Sequence, residues 1–313
     1  MAMKALFGKK AAVGPWRWPV MTLGVFDGVH IGHQKVLRET VTWARAQEGE
    51  SVVVTFDRHP KSVITHKHPP MLTSLRHRLI LLEKLGVDVC VVLKFDEATA
   101  AMPAEDFVRE IMHDWLKVRG IIWGFDCRFG RGARGDLRLL EALAPKYNFQ
   151  VCSVEPVALD GVIVKSTLIR EAIMRGDLHA AARMLGRSFS LLGTVVHGDH
   201  RGRRLGFPTA NLDLHHEVRP PQGVYSCRVR FEKKLYRALA CIGLRPTFES
   251  RVPREVVEVH LLDFDAALYA KDIEVFFVRW LREERKFASV EALIEQMNRD
   301  KAQVLAEPMG DMV

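Results

Sequence analysis

Residues 23–34 read LGVFDGVHIGHQ, and they differ in composition from the rest of the 313-residue chain: Gly24, Gly28, Gly32, Asp27, His30 and His33 crowd together. The apolar run Pro19–Leu23 precedes them, and Val36, Leu37, Val41 and Ala44 follow at helical spacing. The stretch reads as a strand, a glycine turn and a helix entry, the unit from which α/β domains are built. Gly24 and Gly28 permit a sharp turn and a close backbone approach to a ligand. The helix start adds free N–H groups and a positive dipole end, a seat for an anion. His30 and His33, three apart, project to one side, where two imidazoles suit a phosphoryl group that gains charge. The competing reading is a plain glycine turn carrying two surface histidines. Metal is disfavoured, since no third ligand stands at a familiar spacing.

Outward from this stretch the alternation continues. Ser51–Phe56 (SVVVTF) is a continuous apolar strand of the kind buried on both faces. Residues 74–85 read as helix and Val87–Phe95 as strand; Pro103 opens a helix over 103–118, suiting its first position. Strand Arg119–Gly124, helix 136–147, strand Phe149–Val154 and two short helices, STLIREAIMRG and DLHAAARMLG, complete an α/β half with a parallel, Rossmann-like sheet. From about residue 188 the segments alternate and are parted by Gly, Pro and charged turns (LLGTVVHG, GVYSCRVRF, YRALACIG, EVVEVHLLDF, IEVFFVRWL), which predicts an antiparallel sheet or barrel. An amphipathic helix, Val290–Leu305, ends it. The boundary falls near Gly186, giving domains 1–186 and 187–313. The first fourteen residues read as a flexible lead-in and not as a secretory signal.

Composition limits the classes. At 48% apolar the chain can bury two cores, and no 18-residue apolar run crosses a membrane. The five cysteines are scattered with no CxxC pair, which fits a reducing cytoplasm. A net charge of +8 allows nucleic acid, phosphorylated ligands or a plain basic surface. There is no Lys/Arg tail, so no nucleic-acid partner is expected. Nothing in the sequence marks an oligomeric state.

Two further stretches of the first half fall at strand ends, where open α/β sheets bind ligands. One is TFDRHP, with His59; the other is WGFDCRFGRGARGD (123–136), with Asp126 and Arg128. Gly130, Gly132 and Gly135 spell a literal G-x-G-x-x-G, but not in the first turn of a βαβ unit and with arginines in and beside it. The dinucleotide reading is therefore set aside. A basic loop gripping phosphates fits better, with an exposed charged turn as the alternative.

In the second half, HGDHRGRRLGFPTANL (197–212) joins Gly198, Gly202 and Gly206 to Arg201, Arg203 and Arg204 in a cationic loop that is not a Walker loop. Thr209 and Asn211, two apart in an extended segment, face one side. They are hard oxygen ligands suited to Mg²⁺ shared with nucleotide phosphates, unless PTAN is only a turn. In Val257–Leu261, Glu258 and His260 face away from three aliphatics. Glu258 is either a solvent-facing strand residue or a general base.

In chain order, G-x-F-D-G-x-H-x-G-H, T-F-D-x-H-P, G-x-D-x-R-F-G and S-T-x-I-R resemble the adenylyltransferase module of prokaryotic FAD synthetases. G-x-P-T-A-N, P-x-G-V-Y (Pro221–Tyr225), I-G-x-R-P-T (Ile242–Thr247), V-E-V-H-L-L-D-F and L-R-x-E-x-K-F (Leu281–Phe287) are similar to the riboflavin kinase module. The first resemblance implies a nucleotidyltransferase-type α/β domain that moves AMP from ATP to FMN and releases pyrophosphate. It puts His30 and His33 on the phosphates, with Gly24, Phe26, Asp27, Gly28, His59, Asp126 and Arg128 at the ATP site. Ser166, Thr167 and Arg170 would hold the triphosphate at another helix N-terminus. The second implies a six-stranded antiparallel barrel with a C-terminal helix. There Thr209 and Asn211 hold Mg-ATP, Gly202, Arg204 and Gly206 lie in the ATP loop, and Glu258 takes the proton of the ribityl 5′-hydroxyl. The chain departs from the family at Arg58 (usually Pro), Cys127 (usually aromatic), Lys165, Leu168 and Ala270 (usually Gly). The expectation is a cytoplasmic bifunctional enzyme with ATP, riboflavin and FMN as partners: riboflavin to FMN, then FMN to FAD. A kinase with a weakened adenylyltransferase half, and a basic RNA-binding protein, are the alternatives.

Overall fold

The computed structural model describes residues 2–8, 14, 16–198, 202, 205–214, 217–245 and 254–309. The chain divides into two compact units, residues 1–166 and 167–313.

In the first unit, β1 (Lys4–Phe7), β2 (Val20–Leu23), α1 (Ile31–Ala46), β3 (Ser51–Phe56), α2 (Pro60–Ile64), α3 (Leu75–Lys84) and β4 (Val89–Leu93) follow one another. Next come α4 (Glu97–Ala101), α5 (Ala104–Phe107) running into a π-helical stretch Val108–Trp115, β5 (Gly120–Gly124), α6 (Leu137–Tyr147) and β6 (Gln150–Val154). The strands form one sheet in the order β1-β4-β3-β2-β5-β6, and every neighbouring pair is parallel. All six residues of β3 are buried, because helices cover both faces of the sheet. Val20, Val53, Cys90 and Val92 pack against α1 and α3 through Leu37, Val41, Leu81 and Leu82. On the other face Met21, Val52, Val54 and Val91 meet Phe107, Ile111, Met112 and Leu140. A small hairpin, β7 (Ala158–Leu159) with β8 (Val162–Ile163), follows the sheet.

Two expectations are corrected here. The lead-in is not simply flexible: Lys4–Phe7 pair in parallel with Val89–Val92 as an edge strand. It escaped notice because three of its four residues are exposed and leave no periodic pattern. Pro103 stands just outside its helix as the N-cap residue, with extended ψ of 149°.

The strand order reverses direction between β2 and β5. The crevice outside their carboxyl ends is where such sheets bind ligands, and the 24–30 and 125–130 loops both leave the sheet there.

The second unit holds α7 (Ser166–Met174, whose first residue closes the first unit), α8 (Leu178–Leu185), β9 (Ser190–Val196), β10 (Ala210–Asp213), β11 (Gly223–Phe231), β12 (Lys234–Arg245), β13 (Arg254–Leu261), β14 (Asp272–Arg282) and α9 (Val290–Ala306). The six strands close into an antiparallel barrel, β10-β13-β12-β11-β14-β9. Small residues inside make room for large ones: Ala240 lies opposite Tyr225 and Val259, and Ala238 opposite Cys227 and Leu261, all fully or nearly fully buried. On the outer face Val224, Leu239 and Leu262 pack against Val304 of α9.

Candidate active sites

The loop after β2 is held in an uncommon shape. Gly28 has φ +81°, and a Cβ there would lie 2.6 Å from the Leu72 side chain. Phe26 and Val29 also have positive φ, 51° and 42°. The loop is pinned from below by Asp27, whose Oδ1 accepts from the Leu72 and Thr73 amides at 2.9 and 3.1 Å. Thr73 returns the contact by accepting from Gly28 N at 3.0 Å. Asp27 is 3% exposed, so its carboxylate closes the loop onto the segment that leads into α3. Its carbonyl accepts from Ser166 Oγ at 3.0 Å, bringing the start of α7 to this loop.

His30 is the N-cap residue of α1: its Nδ1 accepts from His33 N at 3.3 Å. The proton of the neutral ring therefore sits on Nε2, where it can be donated. A Cβ at Gly32 would come within 3.2 Å of this ring, so that glycine makes room for the cap. The His33 ring stacks on His30 and meets Phe26 edge-on, with centroids 3.6 and 5.3 Å away. Burial, then His30, then Arg78 push the His33 imidazolium well below its ordinary range. His59 repeats the arrangement after β3, capping α2 with Nδ1 on Lys61 N at 3.1 Å. Two helix starts after neighbouring strands thus each present a ring N–H at the carboxyl end of the sheet.

Arg128 and Asp126 are exposed on the loop after β5, and Arg128 donates to Asp136 at 2.6 Å. The glycine-rich segment that follows is a tight turn. A Cβ at Gly130 would strike Ala104 at 2.6 Å and one at Gly135 the Phe129 ring at 2.5 Å. Packing explains these two glycines. Cys127 donates to the Leu23 carbonyl at 3.3 Å, and burial pushes its thiol up to about 12, so it stays protonated. Thr167 is exposed and Arg170 half-buried on α7. Sequence reasoning missed Arg78 on α3, which is 1% exposed and donates to the Val25 carbonyl in the loop after β2 and to the carbonyl of Phe56, the last residue of β3. In LRHRLILLEK it looks like one more solvated helix charge.

In the barrel, alternation puts Thr209, Asn211, Glu258 and His260 on the outer face, since Ala210, Leu212, Val257 and Val259 point inward and are buried. Asn211 pairs with Glu258 across β10 and β13, and the Thr209 hydroxyl donates to Glu258 Oε2 at 3.3 Å. Thr209, Glu258 and His260 line a cleft of about 720 Å³ whose far wall is α9 and the 282–289 segment. His260 Nδ1 donates to the Pro208 carbonyl at 2.8 Å, leaving Nε2 as an acceptor, and burial lowers its pKa. Gly202 closes the loop before PTAN: its carbonyl accepts from Leu205 and Phe207 amides at 3.0 and 2.9 Å. A Cβ there would lie 2.3 Å from the Phe207 carbonyl. Gly206 has φ +82°; Arg204 lies outside the described residues.

The far wall is a polar lattice that sequence reasoning left unnoticed. Asp300, 2% exposed, accepts from Arg282 Nε and Nη2 at 2.9 and 2.8 Å and from Gln296 at 2.8 Å. The guanidinium groups of Arg282 and Arg285 lie over the Phe287 ring at 5.7 and 5.0 Å. Asp300 and Gln296 look like a solvated i,i+4 pair, which is why the sequence hides them. Among the described residues no cluster of three His, Cys, Asp or Glu side chains could hold a metal ion alone.

A parallel sheet with two helix starts at its switch point, and a barrel cleft lined by Thr209, Glu258 and His260, together define a two-site nucleotide-dependent transferase. The FAD synthetase family matches residues 15–168 and the riboflavin kinase family residues 185–307. The bifunctional riboflavin kinase/FMN adenylyltransferase of Escherichia coli K12 is 38% identical over 284 residues, 90% of each chain. That of Bacillus subtilis is 34% identical over 291 residues, 91% of each. The chain belongs to the bifunctional riboflavin kinase/FMN adenylyltransferase family. A crystal structure from Streptococcus pneumoniae described as a macrolide-efflux protein has the same fold, at TM-score 0.83 and 30% identity, covering 98% of this chain and 100% of that one. No helix among the described residues is long and apolar enough to cross a membrane.

Proposed function

We propose that the α/β half, residues 1–186, adenylylates FMN at the loop after β2, and that the barrel half, residues 187–313, phosphorylates riboflavin in the cleft beside Glu258. The observation that carries the second assignment is the contact of Thr209 with Glu258, beside the Asn211–Glu258 pairing. A hydroxyl, an amide and a carboxylate share one outward face, and the hydroxyl and carboxylate line a cleft large enough for a flavin or nucleotide portion. Thr209 and Asn211 are hard oxygen donors that would hold Mg²⁺ brought in with ATP. Bound there, the metal supplies charge neutralisation on the transferring phosphoryl group. Glu258 accepts the ribityl 5′-hydroxyl proton as that oxygen attacks the γ-phosphorus, and ADP leaves. His260, held by Pro208, offers an acceptor on the same face.

In the first half the nucleophile is a phosphate oxygen of FMN, so the protein needs no activated Ser or Cys. The oxygen attacks the α-phosphorus of ATP and pyrophosphate leaves. The Nε2–H groups of His30 and His59, with the N–H groups of two helix starts, stabilise the charge that develops. Depressed basicity keeps His33 uncharged near neutrality, so it acts as a packed support for His30 and as a hydrogen-bonding group. Phe26, Gly24, Gly28, Asp126, Arg128, Ser166, Thr167 and Arg170 complete the ATP site in this reading, and Asp27 serves it by holding the loop.

Paired variants test the assignment. Glu258→Gln is expected to lower riboflavin phosphorylation by about 10²–10⁴-fold and to leave FMN adenylylation intact; His30→Ala with His33→Ala is expected to do the reverse. Unchanged phosphorylation in Glu258→Gln would remove Glu258 as the base, and unchanged FAD formation in the double variant would remove the loop as the nucleotide site.

A further inference from the structure

Arg78 is the most deeply buried Lys or Arg among the described residues of the first unit, at 1% exposure. Its guanidinium donates to the Val25 carbonyl, to Thr55 Oγ1 at 3.1 Å and to the Phe56 carbonyl at 3.1 Å. Thr55 Oγ1 in turn donates to the Val25 carbonyl at 3.3 Å. Val25 is the second residue past β2, and Phe56 is the last of β3, three residues before His59. One rigid planar group therefore spans the ends of two neighbouring strands, holding a carbonyl of the loop after β2 and the last carbonyl of β3. The segment before α3 adds its own bonds to the same loop, from Leu72 and Thr73 to Asp27 and from Gly28 to Thr73. Helix α3 and its leading residues thus set the height of the 24–30 loop and its offset from the 56–59 loop.

Packing alone does not call for a charge here. Desolvating a guanidinium is costly, and an apolar side chain of similar volume commonly serves a core as well or better. What an apolar residue cannot do is fix two main-chain carbonyls in a planar fork. Those carbonyls lie upstream of the two capping histidines, whose ring N–H groups must meet on a single nucleotide.

We propose that Arg78 is a positioning residue for adenylyl transfer, registering the loop that carries His30 against the loop that carries His59. Being buried, it reaches no substrate; it acts through the backbone it holds. The inference rests on the nucleotide-site reading above.

The test uses the full chain, whose kinase half reports independently on intact protein. Arg78→Met keeps the volume and loses every donor. It is expected to lower kcat for FAD formation at saturating ATP and FMN by about 10- to 100-fold, the scale of an ångström misplacement of catalytic groups. KM for ATP should change less than kcat, and riboflavin phosphorylation should stay within about twofold, since the Val25, Thr55 and Phe56 partners of Arg78 all belong to the first unit. Arg78→Lys, which can still donate to one carbonyl, should recover part of the loss, and Thr55→Val should fall between. Wild-type kcat in Arg78→Met, with His30→Ala and His33→Ala inactive, would overturn the inference and leave the site reading standing. FAD formation surviving in the double-histidine variant would instead overturn the site reading. If Arg78→Met does not fold, the two milder variants decide. A kcat loss at unchanged thermal stability supports positioning, and losses that merely track the unfolding temperature, or no loss, overturn it.

Discussion

The imidazole rings of His30 and His33 stack with centroids 3.6 Å apart and planes inclined by 19°. His33 is held neutral: burial, then His30, then Arg78 lower its pKa well below 6.5. The unfolded chain takes up a proton near the ordinary histidine value, about 6.5, which the folded chain refuses. Stability is thus fully present above that pH and is lost as pH falls below it toward the folded pKa. Replacing His33 with Gln should flatten the decline in unfolding temperature of the first unit between about pH 6.5 and 5. The check is calorimetry of both proteins across that range; equal slopes would show that His33 titrates normally.

Gly28 carries both a left-handed backbone (φ +81°) and a 2.6 Å approach to Leu72. Gly28→Ala should cost about 1–3 kcal/mol of first-unit stability and lower FAD formation by more than that loss explains, because the loop bearing His30 must shift. Riboflavin phosphorylation on the same protein should remain at its wild-type rate.

Ala270 stands where the family commonly has glycine, and the backbone keeps the glycine conformation, φ +56°. An alanine there is strained. Ala270→Gly should stabilise the second unit by about 0.5–1 kcal/mol, the relief of left-handed strain less the added freedom of the unfolded chain. A denaturant midpoint that moves down would contradict this.

Asp300 holds Arg282 at 2.8 and 2.9 Å in the far wall of the barrel cleft. Asp300→Ala leaves a half-shielded guanidinium without its partner and should cost about 2–3 kcal/mol, below the figure for fully buried pairs because Arg282 is partly exposed. Arg282→Met with Asp300→Leu should recover most of it. Urea unfolding of the single and double variants measures the difference.

The fold was legible wherever burial imposed a period. SVVVTF could only be a strand covered on both faces, and the alternation of VEVHL put Glu258 on the face it occupies. The edge strand Lys4–Phe7 and the polar lattice of Asp300 were not legible, since an exposed edge and a charged helix face look alike in sequence. The site was half legible. Glycine and histidine marked the loop, but the roles within it come from three-dimensional partners. Gly32 clears His30, Asp27 binds Leu72 and Thr73, and Arg78 works beneath all of them from a helix that reads as amphipathic. The G-x-G-x-x-G letters, set aside as a dinucleotide fingerprint, have a packing cause of the same kind: Cβ atoms at Gly130 and Gly135 would strike Ala104 and Phe129.

The most direct test of two coupled activities on one chain is a product time course. The full protein is given riboflavin, Mg²⁺ and ATP, and FMN, FAD, ADP and pyrophosphate are separated and counted. FMN should rise first with one ADP for each flavin phosphorylated, and FAD should follow with one pyrophosphate for each FMN consumed. FMN accumulating without FAD at saturating ATP would contradict the account of the loop at residues 23–34.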